Sequence, residues 1–204
     1  MIFGEISERK QLERAMRDAG RLPPGQSATL KWPVLHVGDV PRFDPQTWDF
    51  KITGLVEKPV RLAWDEFSHL PMTGVTADMH CVTRWSRFDV RWEGVGFTEI
   101  AKLAAPKPEG KYVMVRAEEE FTSNVPLEDL MRPTTLFALK HNGEPLPADH
   151  GYPVRLVVPH LYAWKSVKWV RGIEFMAHDA PGFWEENGYN MYGDPFREQR
   201  FSRD

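Results

Sequence analysis

The chain has a single cysteine, Cys81, in 204 residues. One thiol cannot close an internal disulfide, so nothing staples this fold. There is no C-x-x-C, no H-E-x-x-H, no G-x-G-x-x-G, no P-loop and no G-x-S-x-G. The common zinc, nucleotide and serine-hydrolase readings therefore have no motif to stand on. No apolar run approaches a membrane span. Met1 to Gly20 is charged and lacks the apolar stretch of an export signal. A lone cysteine without an export signal suits the reducing cytoplasm; an exported form cut from a longer precursor stays open. Charge of one sign is also missing. Lys and Arg number 26 against 29 Asp and Glu, a net −3, which gives no global case for nucleic acid. No repeat of solenoid period is present.

What is present is turn-forming and aromatic. Seventeen prolines and fifteen glycines imply many short elements, and eight tryptophans is a high number for this length. Either they form a rigid aromatic core, or they wall a large planar ligand. A hydrophobic share of 42% and a charged share of 27% are ordinary for a globular protein with one good core or two small ones.

Periodicity predicts mostly short strands with short helices between them. Ser7 to Ala19 reads as a charged helix stopped by Gly20, followed by a Pro/Gly-rich connector from Arg21 to Pro33. Thr47 to Thr53 alternates as a half-buried strand ending at Gly54. Ala63 to Leu70 reads as a short helix closed by Pro71. Val75 to Met79 is a predicted strand that delivers Cys81 just beyond its end. Thr98 is the expected cap of a helix through Ala104. Lys111–Ala117, Thr135–Lys140, Val154–Val158 and Val167–Phe175 read as strands, and Pro126–Met131 as a short helix with proline first. β-α-β alternation is lacking, so the fold class is α+β and not a doubly wound sheet. The chain reads as one domain over 1–204, with residues 1–31 as helix and connector and 178–204 as a tail wrapping it.

Cys81 lies in the run Asp78-Met79-His80-Cys81-Val82-Thr83-Arg84-Trp85-Ser86. Cationic neighbours His80, Arg84 and Arg87 would favour the thiolate, the form that attacks carbon or binds a soft metal. The plain alternative is a small buried hydrophobe without chemistry.

Two further segments are more specific. One is the stretch Asn142-Gly143-Glu144-Pro145-Leu146-Pro147-Ala148-Asp149-His150-Gly151-Tyr152-Pro153-Val154-Arg155, and the other is Trp164-Lys165-Ser166-Val167-Lys168-Trp169. With the Cys81 run and Trp92-Glu93-Gly94-Val95 they resemble the molybdopterin-binding domain of the sulfite oxidase family, over roughly Trp32 to Ala177. That family includes sulfite oxidases, assimilatory nitrate reductases and the bacterial methionine sulfoxide reductase catalytic subunit. The resemblance implies a mixed β-rich fold and a molybdenum–molybdopterin cofactor. It implies that Cys81 ligates the metal and that the reaction moves an oxygen atom and two electrons.

By the same resemblance Arg155 is the cofactor arginine, its planar fork suited to phosphate. Ser166, Val167 and Lys168 match the turn that contacts the pterin. His150 matches a pterin-contacting position, and His36 matches an N-terminal loop that touches it. Arg84 either steadies the thiolate or a metal oxo group, or pairs with a carboxylate. Trp85 and Trp92 are expected in the core. Animal and plant sulfite oxidases carry a tyrosine near the metal where this chain has Leu139. They also carry an arginine where it has Pro33-Val34-Leu35-His36. A pocket lacking both is a poor fit for sulfite. Electrons must pass to or from a separate protein, with haem or flavin as the natural carrier. A non-catalytic cofactor carrier is the rival reading.

Overall fold

The computed structural model describes residues 2–204, with side chains from residue 4 onward. In chain order the elements are α1 (Ile2–Asp18), β1 (Ser27–Ala28), β2 (Asp49–Gly54), β3 (Val60–Ala63), α2 (Trp64–Ser68), β4 (Met72–His80), β5 (Trp85–Gly96), α3 (Phe97–Ala104), β6 (Tyr112–Ala117) and β7 (Thr122–Pro126). Then come α4 (Leu127–Leu130), β8 (Leu136–His141), β9 (Glu144–Pro145), β10 (Arg155–Val157), β11 (Val170–Met176) and α5 (Phe183–Glu186).

The strands form two mixed sheets. One runs β3-β2-β11-β6-β7, with β11 parallel to β2 and the other pairs antiparallel. The other runs β1-β5-β8-β10, with β4 added along β5 and β9 along β8. The fold is therefore α+β and sheet-dominated, as the lack of β-α-β alternation predicts.

The core draws on both sheets. Phe50 and Ile52 of β2 and Ile173 and Phe175 of β11 meet Val95, Phe137 and Leu156 of the second sheet, with Phe67 and Phe97 from the helices. Phe50 meets Phe137 nearly edge-on at 5.1 Å. Burying one such side chain contributes about 1.5–3 kcal/mol. Glycine is required where β5 crosses β8: a Cβ on Gly94 would lie 2.0 Å from the Phe137 carbonyl oxygen. A smaller cluster of Met79, Val90, Trp92, Leu136 and Val157, with Trp32 and Trp85 packed against it, gathers separately.

Four expectations need correction. Helix α3 begins at Phe97 rather than being capped by Thr98, because Phe97 is fully buried and its N–H donates to the Thr135 carbonyl at 3.1 Å. Pro126 ends β7 and α4 starts one residue later. Ala63 belongs to β3, and α2 begins at Trp64, where Glu66 reaches back to the Ala63 N–H at 2.8 Å. The strand expected from Val167 begins only at Val170. Trp169 takes a left-handed φ of 53°, so Ser166 to Trp169 is a turn. Its period-two apolar pattern comes from Val167 and Trp169 both pointing into packed surroundings.

Candidate active site

Three pieces of backbone converge on one cavity. The β4–β5 hairpin carries Cys81 at its tip. There the Cys81 N–H donates to Trp85 at 2.9 Å and the Arg84 N–H to the Cys81 carbonyl at 3.0 Å. From the connector, Gln26 Nε2 donates to that same carbonyl at 3.0 Å. Strand β10 brings Arg155, and the turn before β11 brings Ser166, Val167 and Lys168. The cavity measures about 190 Å³, and Cys81, His36, His150, Arg155, Ser166, Val167 and Lys168 all line it. At its rim Leu35 is half exposed, so the cavity reaches solvent.

The thiol is buried, and burial pushes its pKa up, against a hydrogen bond from Thr83 Oγ1 to Sγ at 3.1 Å. The cation whose field reaches it is Lys168. His80 does not play the expected part. Burial pulls its pKa down to about 4, its Nδ1 pairs with Ser86 Oγ at 2.8 Å, and it is neutral near pH 7. Arg84 is also turned elsewhere. It has a φ of 71°, it is absent from the cavity wall, and its guanidinium lies beside Gly25, Glu198 and Arg200.

Arg155 is 2% exposed and sits between Trp32 and Trp92. Nη1 donates to the His150 carbonyl and Nη2 to the Ser166 carbonyl, both at 3.0 Å, while Nε has no partner. Among the described residues no carboxylate pairs with it, and burial pulls its pKa down to about 9. Lys168 donates to the Leu35 and Asp149 carbonyls at 2.9 and 2.7 Å. Burial, then the neighbouring Arg155, bring its pKa to about 8. A buried cation without a counter-ion is costly. Arg155 is such a cation, and with the half-buried Lys168 beside the same cavity it favours an anionic ligand.

His150 stacks under Trp32 at 3.6 Å and leaves a buried Nδ1 without a partner. Its own burial, then Lys168, hold its pKa near 4. Ser166 spends its hydroxyl on the fold, accepting from the Val158 N–H at 2.9 Å. His36 is exposed at the mouth, bonded through Nδ1 to the Gly38 carbonyl at 3.0 Å and edge-on to Trp169. Trp92 is core, as expected, but Trp85 lines the cavity.

Part of the lining was not anticipated residue by residue. Trp164, Trp184 and Tyr189 form an aromatic wall of it, the last two from the C-terminal segment. Burial, then the nearby Cys81 when charged, raise the Tyr189 pKa, and both side chains line the cavity. Leu139 is buried in the core away from the cavity. Tyr189 nevertheless puts a phenol in the lining, from a part of the chain that the comparison at Leu139 does not touch. The usable signal was the aromatic richness of 178–204.

Residues 37–184 match the family described as oxidoreductase molybdopterin binding domain. The chain belongs to that family. It is 47% identical over the full length of both chains to the uncharacterized oxidoreductase YuiH of Bacillus subtilis. It is 33% identical to the protein-methionine-sulfoxide reductase catalytic subunit MsrP of Gluconobacter oxydans, over 74% of this chain and 54% of that one. The sulfane dehydrogenase SoxCD of Paracoccus pantotrophus superposes with a TM-score of 0.65 at 27% identity, covering 71% of this chain and 42% of that chain. The chain thus spans all of the Bacillus relative but only about half of the Gluconobacter one.

Membership makes this an oxidoreductase, and the residues present fit the family's cofactor. Unpartnered buried nitrogens of His150, Arg155 and Trp85 belong to residues that line the cavity, and each buried polar atom left unpaired costs about 1–3 kcal/mol. Ring nitrogens and a terminal phosphate would satisfy them. Among the described residues no three His, Cys, Asp or Glu side chains gather as a metal site. Cys81 would be the protein's one soft ligand. No described helix is long and apolar enough to cross a membrane.

The histidines give a pH test. His141 and His150 are both held neutral by burial, with pKa values near 4 against about 6.5 unfolded. The unfolded chain therefore binds more protons between those values. Stability is full above about 6.5 and is lost as pH falls toward about 4. Melting temperatures of the cofactor-free protein should fall across that window. A flat profile would exclude this account of the two imidazoles.

Proposed function

We propose that this protein transfers an oxygen atom to or from a small neutral substrate, a sulfoxide or N-oxide, and exchanges electrons with a separate haem or flavin protein. The observation that carries the reading is the mixed lining of the cavity. Arg155 and Lys168, neither of them bonded to a carboxylate among the described residues, share it with Trp164, Trp184 and Tyr189. When bound, the molybdenum pterin supplies the two-electron oxygen-transfer chemistry. Cys81 would hold the metal. Arg155 and Lys168 would bind the anionic end of the pterin, with His150 and the Ser166–Val167 backbone supplying further contacts. His36 lies at the mouth, where it can cover the ligand's edge. Arg84 is placed to brace the cysteine turn against Glu198 and Arg200 and does not reach the substrate side.

The substrate side disfavours anions. An anion gives up its water on entering and is repaid only by positive groups waiting there. Arg155 and Lys168 are committed to the cofactor in this reading. Trp164, Trp184 and Tyr189 offer faces to an apolar substituent, and the Tyr189 hydroxyl can donate a hydrogen bond to a sulfoxide oxygen. The test is a dye-linked assay on enzyme loaded with cofactor, comparing sulfoxides, N-oxides, nitrate and sulfite. A higher kcat/KM for a sulfoxide or N-oxide than for sulfite is expected. Sulfite far above both would reject the substrate assignment. Bound molybdenum with no turnover of any of them would favour a cofactor carrier.

A further inference from the structure

We propose that Lys165 and Glu185 are positioning residues whose solvent-free ion pair locks the aromatic wall of the cavity to the turn that follows Lys165. The inference rests on reading that cavity as the substrate site. Lys165 is fully buried, and its Nζ lies 2.6 Å from Glu185 Oε1. The ammonium also donates to Asn124 Oδ1 at 2.7 Å and to the Asn124 and Met191 carbonyls at 2.8 Å each. Glu185 Oε1 accepts a second bond, from Trp164 Nε1 at 2.8 Å.

The placement is what gives the pair a role. Trp164, Lys165 and Ser166 are consecutive: one lines the aromatic wall, the next is the ion-pair partner, and the third opens the turn toward Lys168. Glu185 is flanked in the same way by the wall. Trp184 precedes it, and the Tyr189 N–H returns to the Trp184 carbonyl at 2.9 Å. The Trp184 and Tyr189 rings stack at 4.9 Å, and Tyr189 meets Trp164 nearly edge-on at 5.0 Å. One carboxylate oxygen thus sets the rotation of Trp164 and the depth of α5 together. The family match ends at residue 184, so the pair ties the last part of the chain to the matched domain. Gly182 makes the approach feasible, since a Cβ there would stand 2.6 Å from Ser123 Cα.

Stability alone is a weak reason for such a pair. Two buried charges replaced together by apolar side chains of similar volume often leave a fold as stable as before, whereas removing one partner strands the other. That asymmetry supplies the experiment. The variant Lys165→Met with Glu185→Met should fold and retain molybdenum. It should nevertheless lose part of the near-ultraviolet circular dichroism of the wall, with or without cofactor, and raise the KM for a sulfoxide about tenfold with little change in kcat. Adding Trp164→Phe should then cost less than it does in the parent, because the orienting contact is already gone. A doubly substituted protein with parental dichroism and KM would overturn the proposal. If the double variant does not fold, Glu185→Gln keeps the side-chain volume but removes the charge that holds Lys165, and the same two readouts decide whether the ion pair positions the wall. If even the parent turns over no sulfoxide or N-oxide, the substrate reading has failed. The dichroism of the cofactor-free proteins still decides the role of the pair.

Discussion

Cys81→Ser should fold as the parent does and lose oxidoreductase activity by about a hundredfold or more. The side chain is 7% exposed and the exchange is nearly isosteric. The turn that holds it depends on backbone groups, namely the Gln26 amide on the Cys81 carbonyl and the Cys81 N–H on Trp85. Thr83 Oγ1 can donate to a serine oxygen as it does to Sγ. The melting temperature of the cofactor-free protein should therefore move little. The metal should notice. A serine oxygen is a harder, poorer partner than thiolate for this cofactor. Groups that merely support a ligand are already worth about 10–100-fold in affinity or activity. Kinetics, molybdenum content and thermal melts on one preparation separate loss of chemistry from loss of fold. Full activity in Cys81→Ser would remove the thiolate from the mechanism.

The residues that meet at the cavity differ in how far the sequence announced them. Cys81 follows directly from a strand, and His150, Arg155 and the Ser166–Lys168 turn sit in compact local segments that carry the family resemblance, so the resemblance, and not the residues one by one, made them legible. Residues whose place depends on distant contacts could not be read that way. Arg84 points toward Gly25, where Glu198 and Arg200, over a hundred residues later in the chain, also gather. Trp184 and Tyr189 reach the wall only because Asn124, Lys165 and Asp129 hold the last segment in place. Nδ2 of Asn124 meets Asp179 at 2.8 Å, and the Tyr192 hydroxyl meets Asp129 at 3.2 Å. Secondary structure failed for a related reason. Strand β5 alternates Phe88, Val90 and Trp92 with Arg87, Asp89, Arg91 and Glu93, a pattern the reading passed over, and its length is set by β4 and β8 pairing with it on either side. Val167 and Trp169 imitated a strand because burial in a turn can produce the same alternation.

Arg155→Met should leave the cofactor-free fold intact and strip the protein of molybdenum. Two effects oppose each other without the cofactor. The His150 and Ser166 carbonyls lose their donors, while a buried guanidinium that no described carboxylate balances is removed. The net change in melting temperature should be small or even favourable. With cofactor the balance is one-sided. A charge-assisted bond is worth roughly 1.5–3 kcal/mol, or about a 10- to 150-fold change in retention. Lys168→Ala should move in the same direction by less, because Lys168 is less deeply buried than Arg155. The measurement is molybdenum per chain after dialysis, set beside melts of the cofactor-free proteins. Undiminished occupancy in both variants would show that neither cation holds the cofactor. A fold that collapses in Arg155→Met even without the cofactor would make the guanidinium a structural group, and its assignment to the anionic end of the cofactor would lose its support.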